Sequence, residues 1–208
     1  MPTSTSEIPD SGALSAAVHQ VGIGIDPGLG ENKCGLAAIY INQTPELVQR
    51  RLAGPEPWAS IHGFVINVAQ RYQLRFIAVE NPLGVLGRMQ RTGETNLKAW
   101  RLLEVVGFAR ALALVLHTQF IELDPQVIKR SVGAPRTAKK KQIIQCIQRI
   151  CIGCPSNISE HEADATATAY AGNSVYWVRA AQERAMSALG RFTSDAGNRA
   201  VLTALAKR

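Results

Sequence analysis

The stretch that decides the predicted fold is Val21-Gly22-Ile23-Gly24-Ile25-Asp26-Pro27-Gly28. Apolar side chains alternate with glycines as far as Ile25, which is typical of a buried β-strand. Pro27 and Gly28 are turn residues and end the strand directly after Asp26. Asp26 is therefore predicted at the rim of a buried strand, a rigid place from which a carboxylate holds a metal ion or a phosphate.

Two later segments also place carboxylates at the ends of ordered elements. Arg75-Phe76-Ile77-Ala78-Val79 has the composition of another apolar strand, and Glu80 follows it. His161-Glu162-Ala163-Asp164 opens a predicted helix, on which His161 and Asp164 share one face because they are three residues apart. Three acidic positions on three separate elements predict one carboxylate cluster.

Glu162 has an alternative interpretation, because Ser159 lies three residues before it. This spacing fits a capping box, in which Glu162 caps the helix and takes no part in catalysis. The residues that follow include the small side chains of Ala163, Ala165, Ala167 and Ala169. They would let the helix approach a sheet closely, so that Asp164 reaches the edge where Asp26 and Glu80 are predicted.

The order of the remaining patterns predicts an α/β fold. Strands are expected at 21–26, 35–41, 47–52, 76–80 and 119–123, and helices at 57–72, 95–116, 125–132, 137–151 and 159 to about 188. The short connection over 42–45 indicates antiparallel hairpins. A break in the last helix is predicted near Gly172, because glycine weakens a helix interior.

Length, composition and charge narrow the class of protein. The 208 residues suit one domain, and a hydrophobic content of 46% is ample for a core. Because no apolar run reaches the roughly 18 residues of a membrane span, we expect a soluble protein that contacts no membrane. A net charge of +7 favours an anionic partner, most plausibly nucleic acid.

The basic residues are clustered along the chain. The segment 129–149 carries Lys129, Arg130, Arg136, Lys139, Lys140, Lys141 and Arg149 and no acidic residue. A second group, Arg88, Arg91, Lys98 and Arg101, follows Glu80. Charge runs commonly form solvated faces. Here two of the runs flank the acidic segments, which favours nucleic-acid binding.

Cysteine spacing offers a weaker hypothesis. Cys146, Cys151 and Cys154 form a C-x4-C-x2-C run that is compatible with an iron–sulfur cluster if a fourth ligand is near. The same residues fall on or beside the apolar face that Ile143 and Ile147 mark, where small buried cysteines are common. We favour a core role for these cysteines.

The carboxylate cluster suits phosphodiester hydrolysis. Two Mg²⁺ ions roughly 3.5–4 Å apart activate water and stabilise the leaving oxygen, and Mg²⁺ prefers oxygen ligands. A histidine such as His161 can replace one carboxylate, since it ligates a metal or helps to activate water. Each residue alone is a weak signal, because a strand-end Asp is usually a turn residue. The ordered combination is stronger.

In this order the motifs resemble those of the RuvC-type Holliday junction resolvases, which are RNase H-like nucleases. The resemblance covers about 21–172. It is carried by Gly24-Ile25-Asp26-Pro27-Gly28, Ala78-Val79-Glu80, Gln126-Val127-Ile128-Lys129 with Ser131-Val132-Gly133, and Glu162-Ala163-Asp164-Ala165. It implies an RNase H-like α/β fold with a mixed five-stranded sheet flanked by helices.

The resemblance also implies an activity. It indicates a homodimer that binds a four-way DNA junction and nicks two opposed strands, with two Mg²⁺ ions per site and Mn²⁺ as a substitute. By motif position, the implied metal ligands are Asp26, Glu80, His161 and Asp164, with Lys140 as a further catalytic residue. The implied DNA-binding residues are Leu83, Arg88, Arg91, Lys129, Arg130, Arg136, Lys139, Lys140 and Lys141.

Three details of the implied site depart from the family's pattern or stay open. Leu83 stands where some members place an aromatic wedge, and Lys141 is an alternative to Lys140 beside the scissile phosphate. His161 occupies a position where many members have another Asp. The implied dimer interface is the long helix over 95–116.

Outside this core we expect a disordered tail over 1–20 and a basic helical extension over 178–208, with the nuclease domain over 21–177. The tail lacks Lys and Arg and therefore does not resemble a signal or transit peptide. The expected location is the cytoplasm of a bacterial or phage-infected cell, or an organelle matrix. The alternatives are a nuclease on RNA or other branched DNA, a non-catalytic junction-binding protein, and a sugar-kinase-like ATPase domain, for which 208 residues leave little room.

Overall fold

A computed structural model describes residues 19–42, 44–82 and 97–205 of the chain. The strands are β1 (Gln20–Asp26), β2 (Gly35–Tyr40), β3 (Leu47–Leu52), β4 (Gln73–Glu80) and β5 (Gln119–Leu123). The helices in these residues are α1 (Pro57–Arg71), α2 (Leu97–Val115), α3 (Pro125–Ser131), α4 (Lys140–Ile150) and α5 (Glu160–Leu205). The strands form one sheet in the order β3-β2-β1-β4-β5.

β1 is the central strand of this mixed sheet. It pairs antiparallel with β2, where Asp26 lies opposite Gly35, and parallel with β4, where Ile25 lies opposite Val79. The carboxyl ends of β1 and β4 therefore meet at one edge of the sheet. This register brings Asp26 and Glu80 to neighbouring positions at that edge.

One face of the sheet is covered by α1 and α2. The apolar residues of α1 recur at helical spacing and are buried, as Ile61, Phe64, Val65 and Val68 show. They pack in one cluster with Ile23 and other residues of β1 and with buried residues of α2. This layer is the larger part of the core, and it packs against β1 on this face of the sheet.

The other face is covered by α3, α4 and α5, which share a second core cluster with Phe76 and Ile121 of the sheet. Helix α5 lies very close to β1 and β2. A Cβ atom placed on Gly24 would lie 2.1 Å from the carbonyl oxygen of Ala165, and one on Gly35 would lie 1.9 Å from that of His161. Two glycines in the sheet and a run of alanines in the helix thus set the position of α5.

The predicted order of strands and helices is confirmed, and most observed ends shift by a few residues. The exception is the last helix, which was predicted to end at about 188 and continues to Leu205. The predicted break near Gly172 is wrong, because α5 continues without interruption to Leu205. A Cβ on Gly172 would lie 2.6 Å from the ring of Phe76 and 2.7 Å from the Cβ of Ala78. This glycine therefore permits close packing of helix on sheet, and the rest of the helix continues past it.

Helix α5 crosses the predicted domain boundary at 177/178 as one continuous element. The side chains of residues 181–189 are all exposed, so this part of the helix extends beyond the core. The division into domains at 178 stays a prediction. The tail predicted over 1–20 lies outside the described residues except for its last two, and Gln20 begins β1.

The described helices include none whose length and apolarity together would suit a membrane crossing. Helix α5 has the length for it, but charged residues such as Arg179, Glu183 and Arg184 interrupt its sequence.

The close approach of α5 to β1 predicts the effect of a single methyl group. Gly24→Ala places that group against backbone atoms of Ala165 and Ala169, which cannot rotate away. We expect a loss of about 2–3 kcal/mol in the free energy of unfolding, measured by urea denaturation.

Gly63→Ala is the matched control, because Gly63 lies on the exposed side of α1 with no atom within 4 Å of an added Cβ. It should be neutral or should stabilise the protein by up to about 1 kcal/mol. Equal stability of the two variants would contradict the packing described here.

Candidate active site at the carboxyl ends of β1 and β4

Three of the predicted site residues form one compact group. Asp26, His161 and Asp164 each place a ligand atom within 4.8 Å of the other two. Nδ1 of His161 lies 2.8 Å from Oδ2 of Asp26, so strand β1 and the first turn of α5 are joined by a direct side-chain contact. Among the described residues, this is the one group of His, Cys, Asp and Glu side chains compact enough to hold a metal ion.

Glu80 lies beside this group but outside its tightest part. Burial and, after it, the nearby charges of Asp26 and Asp164 raise the pKa of the Glu80 carboxyl to about 8, against the lowering effect of Lys140 and Lys129. Without a cation, Glu80 therefore carries a proton at neutral pH. The shift shows that a third carboxyl group shares the same electrostatic environment.

The pKa of the Asp164 carboxyl is shifted by the same environment. Burial and the charge of Asp26 raise the pKa of the Asp164 carboxyl to about 6, although Lys140 and His161 act in the opposite direction. Burial is the larger cause of both raised pKa values, and the mutual repulsion of the carboxylates at this edge of the sheet adds to it.

Lys140 is the basic residue that faces this cluster directly. Its Nζ lies 3.4 Å from Oδ2 of Asp164 and 3.5 Å from Oε2 of Glu160. Burial acts to lower the pKa of Lys140, but the carboxylates of Asp164 and Asp26 outweigh it and raise that pKa. Lys140 is therefore a permanent positive charge at the rim of the site, whereas Lys141 is exposed on the next position of α4.

The first turn of α5 is held by a network that the sequence predicts only in part. Oε2 of Glu162 accepts hydrogen bonds from the backbone N–H of Ser159 at 3.0 Å and from its hydroxyl at 2.7 Å, which confirms the capping box. Nη1 of Arg50 in β3 also donates to Oε1 of Glu162. The environment of Glu162 lowers its pKa: burial opposes the change, and the hydrogen bonds from Ser159 and Arg50 outweigh it.

Neither Arg50 nor Glu160 was predicted from the sequence as a residue of the site. The available signal for Arg50 was indirect: a carboxylate in an alanine-rich, buried helix turn needs a cation, and basic residues in a nearby strand are candidates. Nothing in the linear spacing connects Arg50 to Glu162, which lie 112 residues apart.

Lys129 occupies a different position from Lys140. Its Nζ donates to the backbone carbonyl oxygens of Arg136 and Ala138, both at 3.2 Å, and so fixes the segment between α3 and α4. Its charge is still close enough to act on the pKa of Glu80. Lys129 therefore links the basic segment to the carboxylates.

The other predicted DNA-binding residues divide into two sets. Arg130, Arg136, Lys139 and Lys141 are exposed on α3, α4 and the segment between them, and Arg130 and Arg136 line one cleft with Gln126. Leu83, Arg88 and Arg91 lie outside the described residues.

The cysteines do not form a metal cluster in the described part of the chain, and all four are free. Burial raises the pKa of both the Cys34 and Cys151 thiols to about 12. A thiol that stays protonated is a poor nucleophile and a poor metal ligand. The core role favoured for Cys151 fits its burial in the second core cluster.

The donor set fits a hard divalent cation. Asp26, Asp164 and Glu80 supply carboxylate oxygens and His161 supplies a nitrogen, a set suited to Mg²⁺ or Mn²⁺. Burial and the charges of neighbouring carboxylates raise the pKa values of Glu80 and Asp164, and a cation bound beside them would lower both.

A mixed five-stranded sheet flanked by helices, with carboxylates at the ends of adjacent parallel strands, is an RNase H-like fold. The comparison with solved structures supports this assignment: RuvC of Thermus thermophilus, alone and in complex with a Holliday junction substrate, matches with a TM-score of 0.57 at 21% identity. Each match covers 77% of this chain and 96% of the other.

The particular family that the chain resembles is RuvC. It is 28% identical over 141 residues to the crossover junction endodeoxyribonuclease RuvC of Clavibacter michiganensis subsp. michiganensis (strain NCPPB 382), which confirms the predicted resemblance. The match covers 62% of this chain and 63% of that relative, so the chain spans just under two thirds of the relative's length. No family model matches the sequence.

The raised carboxyl pKa values predict how the stability of the metal-free protein depends on pH. Above about pH 4.5 the unfolded chain releases the Glu80 proton, whereas the folded protein keeps it to about pH 8. The free energy of unfolding in EDTA should therefore fall as the pH rises through this window, with Asp164 contributing up to about pH 6.

Urea denaturation of the wild type and of Glu80→Gln across this pH range checks the prediction. The variant carries no titrating group at this position, so its stability should fall less steeply and should exceed that of the wild type near the upper end of the range. Parallel pH profiles would show that Glu80 does not titrate in the cluster. Adding Mg²⁺ should restore wild-type stability at the upper end.

Proposed function

We propose that this protein is a metal-dependent endodeoxyribonuclease that resolves four-way DNA junctions by paired symmetric nicks. The observation that carries the proposal is the group formed by Asp26, His161 and Asp164, with Glu80 and Lys140 beside it. These residues lie at the end of the sheet where the basic segment between α3 and α4 begins. Carboxylates for a cation and lysines for phosphates thus meet at one place.

In this proposal Asp26, Glu80, His161 and Asp164 hold two Mg²⁺ ions, which Mn²⁺ can replace. The ions would supply charge neutralisation at the attacking and leaving oxygens. Asp26 belongs to the central strand and makes the contact with Nδ1 of His161, so it links the strand residues of the site to those of helix α5. Because that contact occupies Nδ1, Nε2 of His161 is the atom available to bind a cation or accept a proton from water.

Lys140 would act on the scissile phosphate. Its ion pairs with Asp164 and Glu160 hold the ammonium at the rim of the cluster, where an incoming phosphate competes for it. The exposed residues Arg130, Arg136, Lys139 and Lys141 extend the positive surface away from the site and would contact the flanking backbone. Leu83, Arg88 and Arg91 are proposed to contact the junction on the strength of their sequence positions.

Two findings favour a junction as the substrate. The sequence relative is a crossover junction endodeoxyribonuclease, and one of the structural matches is a RuvC bound to a Holliday junction. Paired nicks also require two active sites, and we propose a homodimer. Helix α2, the implied interface, exposes Trp100, Leu114 and Val115 at 63–73%, which is apolar area that a second copy of the chain would cover. The proposed location is the bacterial cytoplasm.

The experiment that tests the proposed function compares substrates. Wild type and Asp26→Asn are incubated with a labelled four-way junction, a linear duplex and an RNA–DNA hybrid, with and without Mg²⁺. We expect paired nicks in the junction alone, dependent on Mg²⁺ and abolished by Asp26→Asn. Junction binding by the variant should be equal or stronger, because the substitution removes a charge that repels phosphates.

Other outcomes have definite meanings. Cleavage of the hybrid or of single strands would retain the nuclease fold and discard the junction as substrate. Binding without cleavage under any condition would favour a non-catalytic junction-binding protein. Cleavage by Asp26→Asn at the wild-type rate would overturn the assignment of the metal site.

Lys140→Ala is expected to slow nicking and to weaken binding in a salt-dependent way. A lysine that contacts a phosphate releases about one counterion, so the slope of log K against log salt should decrease by about 1. Nicking under single-turnover conditions and junction binding at several salt concentrations measure the two effects.

Arg149→Ala is the control for this variant. It removes an equal charge from the last turn of α4, at the opposite end of the helix from Lys140, and should leave the nicking rate near that of the wild type. An unchanged salt slope for Lys140→Ala would mean that Lys140 faces solvent in the complex.

A further inference from the structure

Beyond the residues that would touch metal or DNA, the pair Arg50–Glu162 joins the edge strand β3 to the first turn of α5. Glu162 follows His161 directly and precedes Asp164 by two residues. Its side chain is 9% exposed and that of Arg50 is 29% exposed, so the pair is largely removed from solvent. An ion pair in such a position is sensitive to the loss of one partner, because the remaining charge is left buried.

The first turn of α5 is held by contacts on three sides, and the Arg50–Glu162 pair is one of them. Ser159 binds the Oε2 atom of Glu162 from the N-terminal side of the helix, and Gly35 allows β2 to contact the backbone at His161. Arg50 is the remaining contact, on the side of the edge strand, and binds Oε1. Both carboxylate oxygens of Glu162 are thus occupied by groups from outside the helix turn or from its cap.

We propose that Arg50 is a positioning residue for the metal site, acting through Glu162 on His161 and Asp164. The inference rests on the proposed function, since it presumes that those two side chains hold a divalent cation. Arg50 touches neither substrate nor cation in this proposal. It fixes the helix turn by holding Oε1 of Glu162, whose carboxylate would otherwise be left largely buried without a partner and would disturb the turn.

The chemistry of the pair explains why arginine occupies this position. A guanidinium stays charged at all relevant pH values and holds a planar carboxylate at a defined angle, whereas a lysine ammonium is a point charge on a flexible stem. Residues that orient metal ligands indirectly typically change metal affinity about 10–100-fold when they are replaced. An effect of that size on affinity is the signature expected of Arg50.

The test measures Mn²⁺ binding to the full-length chain by isothermal titration calorimetry in the absence of DNA. Asp26→Asn first shows whether the measured heat comes from the proposed site, because removal of this carboxylate should abolish binding. Arg50→Met should then weaken Mn²⁺ binding about tenfold or more, and Arg50→Lys should weaken it less. Arg51→Met is the matched control, since Arg51 neighbours Arg50 on the exposed side of β3, and its affinity should equal that of the wild type.

A double variant separates positioning from general stability. Arg50→Met with Glu162→Gln leaves no unpaired charge buried in the helix turn, so the turn should be less disturbed than in Arg50→Met. The double variant should therefore recover part of the Mn²⁺ affinity lost in Arg50→Met. Thermal unfolding followed by circular dichroism in EDTA reports whether each variant is folded. If Arg50→Met does not fold, Arg50→Lys and the double variant supply the same comparison.

The outcomes distinguish this inference from the proposed function. Wild-type Mn²⁺ affinity in folded Arg50→Met, or in both Arg50→Lys and the double variant if Arg50→Met does not fold, overturns the role of Arg50 and leaves the nuclease proposal untouched. A reduced melting temperature with unchanged metal affinity has the same meaning. No Mn²⁺ binding by the wild type itself overturns the metal site and with it this inference.

Discussion

The architecture of this protein depends on the contact between α5 and the central sheet. Gly24 and Gly35 leave no room for a Cβ because the carbonyl oxygens of Ala165 and His161 occupy that space. This contact brings the first turn of α5 to the edge where β1 and β4 end. Without it, residues from distant parts of the chain would not meet in one site. The two core clusters fix the sheet from both faces, so the helix and the strand ends meet at a defined distance.

The carboxylates in this site differ in how far their charges are paired. Burial first and the neighbouring carboxylates second raise the pKa values of Glu80 and Asp164, whereas for Glu162 the hydrogen bonds from Ser159 and Arg50 outweigh burial and lower the pKa. Lys140 offsets the charge of the cluster only in part. The difference separates Glu80 and Asp164, the proposed metal ligands, from Glu162, whose charge is already paired by Arg50.

Much of the fold and the centre of the site follow from local sequence patterns. The strand–Asp26-Pro27-Gly28 unit, the strand before Glu80 and the helix opening at Ser159 each have a signal within a few residues, and their meeting follows from the geometry of parallel strands. The continuity of α5 was harder to predict, because Gly172 has a low intrinsic helix propensity and its packing against Phe76 is visible only in three dimensions. Arg50 could not be assigned, since its partner lies 112 residues away and either residue alone has an ordinary surface explanation.

The direction of α5 has one further consequence. The helix begins at Glu160, so its N-terminal end faces the carboxylates and its 46 residues run away from them. The aligned peptide dipoles of a helix place about half a positive elementary charge at that end, and the N–H groups at a helix N-terminus attract phosphate and carboxylate alike. The element that contributes His161 and Asp164 thus also contributes a fixed positive field from its backbone, one that no side-chain substitution removes.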